Sequence, residues 1–268
     1  EIASYFFSMA SKYRPLGGDE YKWDYKTAMD YCQQAVSRFP DSYGAQNCVY
    51  LMEQIRQQSL TLTVEAANVP GKAFRALADY RNTGEIYLRL IRLDPDKNRK
   101  LLEKSNYEQL AEAYKGMKPL KEWSVKLPDD GDFQAHSAEI AIPAQDAGLY
   151  LILASGNKEF SFIDKQLSWA SCWVTRISFV NRQKEKGAMD FYLVDRETGE
   201  ALKGVKAMTY TRDYNYTSRE YEYNKWKDFQ SDENGYFGIP ANLSKSYEYK
   251  YFYADFELGN DRYSSNSY

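Results

Sequence analysis

The sequence of 268 residues contains few of the side chains that most often bind metals or carry catalysis. It has one histidine, His136, and three cysteines, Cys32, Cys48 and Cys172, with no Cys-x-x-Cys motif. A zinc site needs several Cys or His ligands at close spacing, so the composition argues against one. Three cysteines are also too few for a disulfide framework. We therefore predict no metal and no cofactor.

An excess of one charge and long apolar runs are also missing. The chain has 35 Lys and Arg against 38 Asp and Glu, a net charge of -3. This balance predicts no nucleic-acid partner. No apolar run approaches the roughly 20 residues that cross a bilayer, so we predict no transmembrane segment. The sequence begins at Glu1 without Met or a signal peptide, which favours a segment of a longer protein.

None of the catalytic or metal-binding motifs considered is complete in the sequence. His136 has no G-x-S-x-G motif near it, so we interpret it as a strand-edge residue. The segment from Asp94 resembles a calcium loop but has Arg99 where the loop needs Gly, so we expect a helix-capping turn. The acidic turn at 129–132 is interpreted as solvated. We predict a chain that is not an enzyme; a hydrolase with carboxylates in its loops is the weakest alternative.

Residues 20 to 58 carry the strongest helical pattern. Apolar residues recur at helical spacing from Ala28 to Phe39, and the segment 40–42 ends this helix and caps the next, over 43–58. The pattern predicts an antiparallel helical hairpin within residues 1–58 that resembles a tetratricopeptide unit. Cys32 and Cys48 would then face each other and permit one disulfide. We favour the alternative that they are small buried apolar groups.

From residue 59 the apolar period changes from 3.6 to 2, which predicts antiparallel β-sandwiches of immunoglobulin-like type. The first covers 59–165, with a helical insert over 96–116. Its predicted strands are 60–64, 74–80, 85–93, 123–127, 138–142 and 149–154. The second covers 166–268. Its predicted strands are 172–180, 188–194, 205–212, 220–229, 236–239 and 247–256. Residues 155–166 are predicted to connect the two sandwiches. Acidic turns that contain Gly199 and Gly235 fit the hairpins of the second. The fold class is α+β, mainly β.

Tyrosine is the residue in excess, with 25 copies. Tyrosine suits half-buried sheet faces because its ring packs while its hydroxyl reaches water. We favour sheet cover and domain contact for most of these rings. An exposed aromatic ladder that binds carbohydrate or protein is the alternative. The candidate interaction surface is formed by Tyr210, Tyr214, Tyr216, Tyr221, Tyr223 and Trp226.

Three segments resemble the bacterial alpha-2-macroglobulin family, in the large form found in Bacteroidetes. The motifs are V-P-G-K at 69–72 with A-L-A-D-Y-R-N at 76–82 and I-Y-L-R-L-I-R-L at 86–93; H-S-A-E-I at 136–140 with A-G-L-Y-L at 147–151; and F-Y-L-V-D-R-E-T-G at 191–199 with D-E-N-G-Y-F at 232–237. The last block is also similar to carboxypeptidase-regulatory-like sandwiches. Together the motifs cover about residues 60 to 260.

The resemblance implies macroglobulin-like sandwiches in an extracytoplasmic protein, in the periplasm or at the outer membrane or cell surface. It also implies relatives that trap proteases through a bait segment and often a thioester. The chain contains neither a thioester motif nor an identifiable bait loop. Our hypothesis is a non-catalytic structural or interaction segment of such a large cell-envelope protein, near its N-terminus, that contributes to protease trapping by the full-length protein. Its expected partners are the neighbouring domains of the full-length protein and proteases.

Overall fold

The chain is mainly antiparallel β-sheet with helices at its N-terminus and in one insertion, which confirms the predicted fold class. The structure is a computed structural model that describes residues 1–161, 166–185, 188–217, 219–240 and 252–265. The helices are α1 (Ile2–Ala10), α2 (Asp24–Arg38), α3 (Tyr43–Arg56), α4 (Pro95–Lys104) and α5 (Tyr107–Gly116). None of the helices in these described ranges is long and apolar enough to cross a membrane.

The strands follow the same chain order. They are β1 (Ser59–Val64), β2 (Ala67–Asn68), β3 (Phe74–Arg81), β4 (Glu85–Leu93), β5 (Lys121–Lys126), β6 (Ala135–Ile142), β7 (Gly148–Ser155), β8 (Leu167–Val174), β9 (Ile177–Gln183), β10 (Met189–Asp195), β11 (Lys206–Asn215), β12 (Glu220–Gln230), β13 (Tyr236–Ile239), β14 (Phe252–Leu258) and β15 (Asp261–Ser264). Residues 247–251 of the predicted last strand lie outside the described residues.

The N-terminal helical unit contains the predicted hairpin, α2 and α3, and a third helix that the pattern did not reveal. Ser42 caps α3 by accepting a hydrogen bond from the amide of Ala45 at 3.1 Å. Helix α1 packs on the hairpin through Ala3 and Ala10. It has no side-chain cap at Glu1 and no acidic residue in its first turn, so the usual start signals are absent.

The helical unit joins the first sandwich through hydrogen bonds to main-chain carbonyls. Gln134, which is 6% exposed, shares its side-chain amide among the carbonyls of Ala10, Tyr21 and Lys22 at 3.2–3.4 Å. Asn82 donates to the carbonyls of Ile55 and Gln57 at the end of α3, at 2.7 and 3.0 Å. Arg81 lies over the Tyr25 ring at 4.6 Å. Most of the acceptors at this junction are therefore carbonyls at helix ends and turns.

The first sandwich consists of a three-stranded sheet, β1-β3-β6, and a five-stranded sheet, β2-β8-β7-β4-β5. All pairs are antiparallel except β2–β8. The two sheets share a core that includes Leu88, Ile140 and Ile152. The outer face of the five-stranded sheet is covered by the predicted insert, through Ala111 and Tyr114 of α5. Burial on both faces explains why β7 is an uninterrupted apolar run and not an alternating one.

The second sandwich pairs a three-stranded sheet, β13-β10-β9, with a four-stranded sheet, β12-β11-β14-β15. Its core includes Phe191, Phe237 and Phe256. The predicted turns are where the pattern placed them, with φ of 75° at Gly199 and 72° at Gly235. Gly235 has a second requirement, since a Cβ there would lie 2.2 Å from the Leu193 carbonyl oxygen. The D-E-N-G turn therefore needs glycine for both conformation and space.

The predicted strand 172–180 is wrong, because two strands in different sandwiches share this segment. Strand β8 ends at Val174 and pairs with β7, whereas β9 begins at Ile177 and pairs with β10. Between them the Thr175 hydroxyl accepts from the Ile177 amide at 3.0 Å, and the Arg176 amide donates to Asp261 at 2.7 Å. These bonds satisfy the main chain where it changes sheets. No Gly or Pro marks the change in the sequence.

The predicted connector 155–166 is likewise part of the first sandwich. Ser155 pairs with Leu167, so the segment between them joins adjacent strands of one sheet. Phe160, with φ of 51°, is buried in the core under the insert, and residues 162–165 lie outside the described ones. We propose that the two sandwiches divide at 175–176 and not at 165.

Candidate functional site

The six predicted interaction residues lie on the hairpin of β11 and β12. On β12 the partner of Tyr214 is Tyr221 and that of Tyr210 is Lys225, whereas on β14 Tyr210 is paired with Tyr253. A register shift between Met208 and Tyr210 interrupts the regular residue pairing of the two strands. The side chains of Tyr221 and Tyr223 lie outside the described residues. Their place on the surface stays a prediction.

The four described aromatic side chains have three different surroundings. Tyr214 and Tyr216 are 41% and 82% exposed, and their rings meet edge to face at 5.1 Å near the hairpin end. Trp226 is half-buried and packs against the core of the second sandwich, 6.0 Å from the Phe229 ring. Tyr210 is half-buried, with the Arg99 guanidinium 5.8 Å from its ring centre. Of these four side chains, Tyr214 and Tyr216 are the largely exposed ones, and an interaction surface shared by all six residues stays a prediction.

Helix α4 of the first sandwich packs on the outer face of β14 and β15 through charged side chains. Arg262 holds Asp96 with two hydrogen bonds, at 3.0 and 3.1 Å. The Oδ2 atom of Asp255 accepts from Arg99 at 2.9 Å and from Arg262 at 3.2 Å. The Asp255 side chain is fully buried. We call Asp96, Arg99, Asp255 and Arg262 the charged junction.

Local sequence explains how α4 presents its two charges. Asp94 caps the helix by accepting from the Lys97 amide at 2.9 Å, which confirms the predicted capping turn. Pro95 occupies the first turn, where its missing N–H costs nothing. Asp96 and Arg99 are three residues apart and so lie on one face. On β14, Ala254 and Phe256 point into the core, which turns Asp255 outward to meet that face.

Within the charged junction, the pair of Asp96 and Arg262 favours its ionised form. The hydrogen bonds from Arg262 hold the pKa of Asp96 below its usual range. The pKa of Arg262 is raised, first by its hydrogen bond to Asp96 and also by Asp255. Bidentate Arg–carboxylate pairs fix geometry as well as charge. The four residues therefore fix the position of the insert helix on the second sandwich.

An aromatic contact extends the junction beside the charged residues. Trp173 of β8 meets Tyr263 of β15 edge to face at 6.1 Å, and Arg196 lies 5.3 Å from the Tyr263 ring centre. An open cleft of about 450 Å³ lies between the two sandwiches. Arg92, Trp173 and Arg262 are among the residues that line it. Arg262 is already held by carboxylates, so it does not present a free charge to the cleft.

The residues tested for chemistry have structural roles. His136 lies in the edge strand β6, as predicted, and its Nε2 atom is 2.9 Å from Asp132. Asp129 and Asp132 accept amide hydrogen bonds within their turn. Asp130 pairs with Lys22 of the helical unit at 2.9 Å. Within the described part of the chain, no group of three or more His, Cys, Asp or Glu residues is placed to hold a metal.

Sequence reasoning missed the charged junction almost entirely. About 160 positions separate Asp96 and Arg99 from Asp255 and Arg262. No spacing rule joins such distant residues. One signal was available: Asp255 lies between two apolar residues in a predicted strand, and a charged group next to a core needs a partner. The identity of that partner depends on how the two sandwiches pack.

Two solved structures resemble the chain along most of its length. The crystal structure of native alpha-2-macroglobulin from Escherichia coli spanning domains MG0-NIE-MG1 matches with a TM-score of 0.52 and 11% identity, covering 78% of this chain and 63% of that one. The structure spanning NIE-MG1 matches with a TM-score of 0.50 and 11% identity, covering 77% and 95%. No protein-family profile and no curated protein matches.

These comparisons establish the fold. The chain spans less than two thirds of the length of the first matched structure. Its tandem sandwiches are built like domains of a bacterial alpha-2-macroglobulin, as the sequence motifs implied. At this low identity the likeness concerns architecture. The chain has the fold of macroglobulin-like β-sandwich domains of bacterial type.

Proposed function

We propose that this chain is a non-catalytic structural segment of a large alpha-2-macroglobulin-like protein of the cell envelope. Its role is to hold consecutive domains in a fixed arrangement. The charged junction is the observation that carries the proposal, because a buried Asp255 shared by two arginines fixes one sandwich on the next. The fold likeness to multi-domain Escherichia coli chains supports neighbouring domains as partners.

We further propose that the full-length protein lies outside the cytoplasm and traps endopeptidases. The trapped enzyme would lose access to protein substrates but keep access to small peptides, because a cage excludes molecules by size. This segment would contribute by keeping the domains around the cage in register. The proposal follows the resemblance of the sequence motifs, and the fold likeness is compatible with it.

The test uses the full-length protein and a panel of serine, cysteine and metallo-endopeptidases. Trapping predicts that cleavage of casein falls while hydrolysis of a small chromogenic peptide continues. The Arg262→Met variant should trap less well, whereas Arg75→Met should behave like the wild type, because Arg75 and Glu139 form an exposed pair on one sheet. Unchanged casein cleavage with every protease would refute trapping. Normal trapping by a destabilised Arg262→Met protein would refute the role of the segment.

A second candidate function is binding of carbohydrate or protein through exposed tyrosines. Tyr214 and Tyr216 support it, since they form an exposed aromatic pair near the hairpin end. Glycan-array and pull-down experiments should compare the wild type with the Tyr214→Ala/Tyr216→Ala double variant. Signals that the double variant loses would favour binding there. Equal signals from both proteins would rule out this pair as a binding site.

A further inference from the structure

Two of the three thiols meet inside the N-terminal helical unit. Cys32 of α2 is fully buried, and Cys48 of α3 is half-buried against the same apolar cluster. Both belong to the cluster in which α2 and α3 pack together. Cys172 lies apart from them, in β8 of the first sandwich. The helical unit therefore contains a pair of free thiols, one of which reaches the surface.

The two cysteines lie at nearly the same distance from the turn of the helical hairpin. Cys32 lies six residues before the end of α2 at Arg38, and Cys48 lies five residues after the start of α3 at Tyr43. At about 1.5 Å per residue, these offsets differ by only about 1.5 Å along the hairpin. Residues of antiparallel helices at equal distance from the turn lie opposite each other. The turn geometry thus aligns the thiols.

The spacing of packed helices suits a covalent bond between such residues. Helix axes in contact lie about 8–10 Å apart, and each Cα lies about 2.3 Å from its axis. Two Cα atoms that face each other are then about 3.4–5.4 Å apart, which overlaps the range of about 4.4–6.8 Å that disulfides need. Ala28 and Ala45, one turn before Cys32 and Cys48, are buried and small. Neither side chain holds the helices far apart.

We propose that Cys32 and Cys48 are a site of reversible oxidation, at which exchange with a small disulfide or a thiol–disulfide oxidoreductase forms a bond between α2 and α3. The bond closes a loop over the fifteen residues 33–47. It ties the two helices of the hairpin together without moving either of them far. This pairing depends only on the helical unit and is independent of the proposed function.

The difference in exposure sets the order of the exchange. Burial, with a smaller contribution from Cys48, raises the pKa of Cys32 to about 12, so Cys32 is a poor first nucleophile. The Cys48 thiolate therefore attacks one sulfur of the small disulfide, breaks its S–S bond and releases one thiolate. Cys32 then gives up its proton and attacks the sulfur of Cys48, which expels the second thiolate. The two protein thiols lose two protons and two electrons, and the small disulfide becomes two thiols.

The test treats the reduced, folded chain with oxidised glutathione and counts free thiols after denaturation in an alkylating reagent. We expect the count to fall from three to one, and a non-reducing digest to show the peptides of Cys32 and Cys48 linked. The melting temperature Tm of the helical unit should rise by about 5 °C because a closed loop restricts the unfolded chain. Reduction with dithiothreitol should reverse all three changes.

Single variants separate the proposal from its alternatives. Cys172→Ser should still form the bond and end with no free thiol. Cys48→Ser should keep both remaining thiols, because Cys32 and Cys172 are buried. Cys32→Ser should stop at a glutathione adduct on Cys48. Circular dichroism checks that each variant folds. If the folded wild type keeps all three thiols, keeps glutathione on Cys48, or links only between chains, the proposal is wrong.

Discussion

The helical unit and the second sandwich both pack on the first sandwich, but different groups hold them there. At the helical junction, Gln134 and Asn82 donate to main-chain carbonyls. At the second junction, Arg99 and Arg262 donate to the carboxylates of Asp96 and Asp255. Carbonyl acceptors do not titrate, whereas carboxylates do. The first junction therefore depends mainly on hydrogen bonds to carbonyls, with one half-exposed ion pair between Lys22 and Asp130, and the second depends mainly on a buried charge.

The two junctions should differ in how much folding stability is lost when one side chain is removed. Removing the cation from a buried carboxylate leaves an unpaired charge. This destabilises the fold more than an unpaired carbonyl does. The charged junction is thus more sensitive to the loss of a single side chain. At the helical junction several hydrogen bonds of moderate strength contribute, so the loss of one side chain removes only part of the stabilisation. The loss of stability should therefore be largest for a substitution at the charged junction and smallest for one at the exposed ion pair.

Arg262→Met should produce the largest loss of stability. It removes both bonds to Asp96 and leaves the buried Asp255 with Arg99 as its remaining described cation. We expect the free energy of unfolding of the second sandwich to fall by about 3 kcal/mol. Urea denaturation followed by fluorescence measures it. Arg75→Met is the matched control and should cost less than about 0.5 kcal/mol, since its pair with Glu139 is exposed. Equal losses in the two variants would contradict the contrast.

Gln134→Leu should weaken the helical junction by about 2 kcal/mol, because it keeps the volume but removes the buried amide that donates to the carbonyls of Ala10, Tyr21 and Lys22. Hydrogen exchange should speed up in α1 and α2 and stay unchanged in the second sandwich. Gln145→Leu is the control, since Gln145 donates only to the carbonyls of its neighbours Pro143 and Ala144. Should both variants exchange like the wild type, the amide of Gln134 would not hold the helical unit.

Acid should weaken the charged junction through Asp96. The pKa of Asp96 is lowered in the folded chain, so its contribution to stability is present above the unfolded value of about 4 and is lost as pH falls through the folded value. Asp96 is largely exposed, which limits the effect to under about 1 kcal/mol. Urea curves at pH 7, 5, 4 and 3 should show a smaller acid-dependent loss in Arg262→Met than in the wild type. Parallel losses would mean that the pair does not contribute.

The difference between the junctions also explains what could be predicted from the sequence. Alternation and turn residues predicted the strands and the glycine turns, because those signals are local. Helix α1 and the break at Thr175 were missed, since Glu1 supplies no cap and the apolar run continues through the change of sheet. Of the candidate aromatic residues, Tyr210 lies at the charged junction. The partners there come from distant segments, and only three-dimensional packing brings them together.

Lys22→Met should have the smallest effect. Lys22 forms the ion pair that reaches from the helical unit to Asp130, but Asp130 is about half exposed. Exposed pairs contribute little because water screens them and both side chains lose freedom, so we expect a loss below about 0.5 kcal/mol. Urea denaturation in 0.05 M and 1 M NaCl should show that this small difference from the wild type becomes smaller still at the higher salt concentration. A loss as large as that of Gln134→Leu would show that charge also holds the helical unit, and the two junctions would then differ in degree and not in kind.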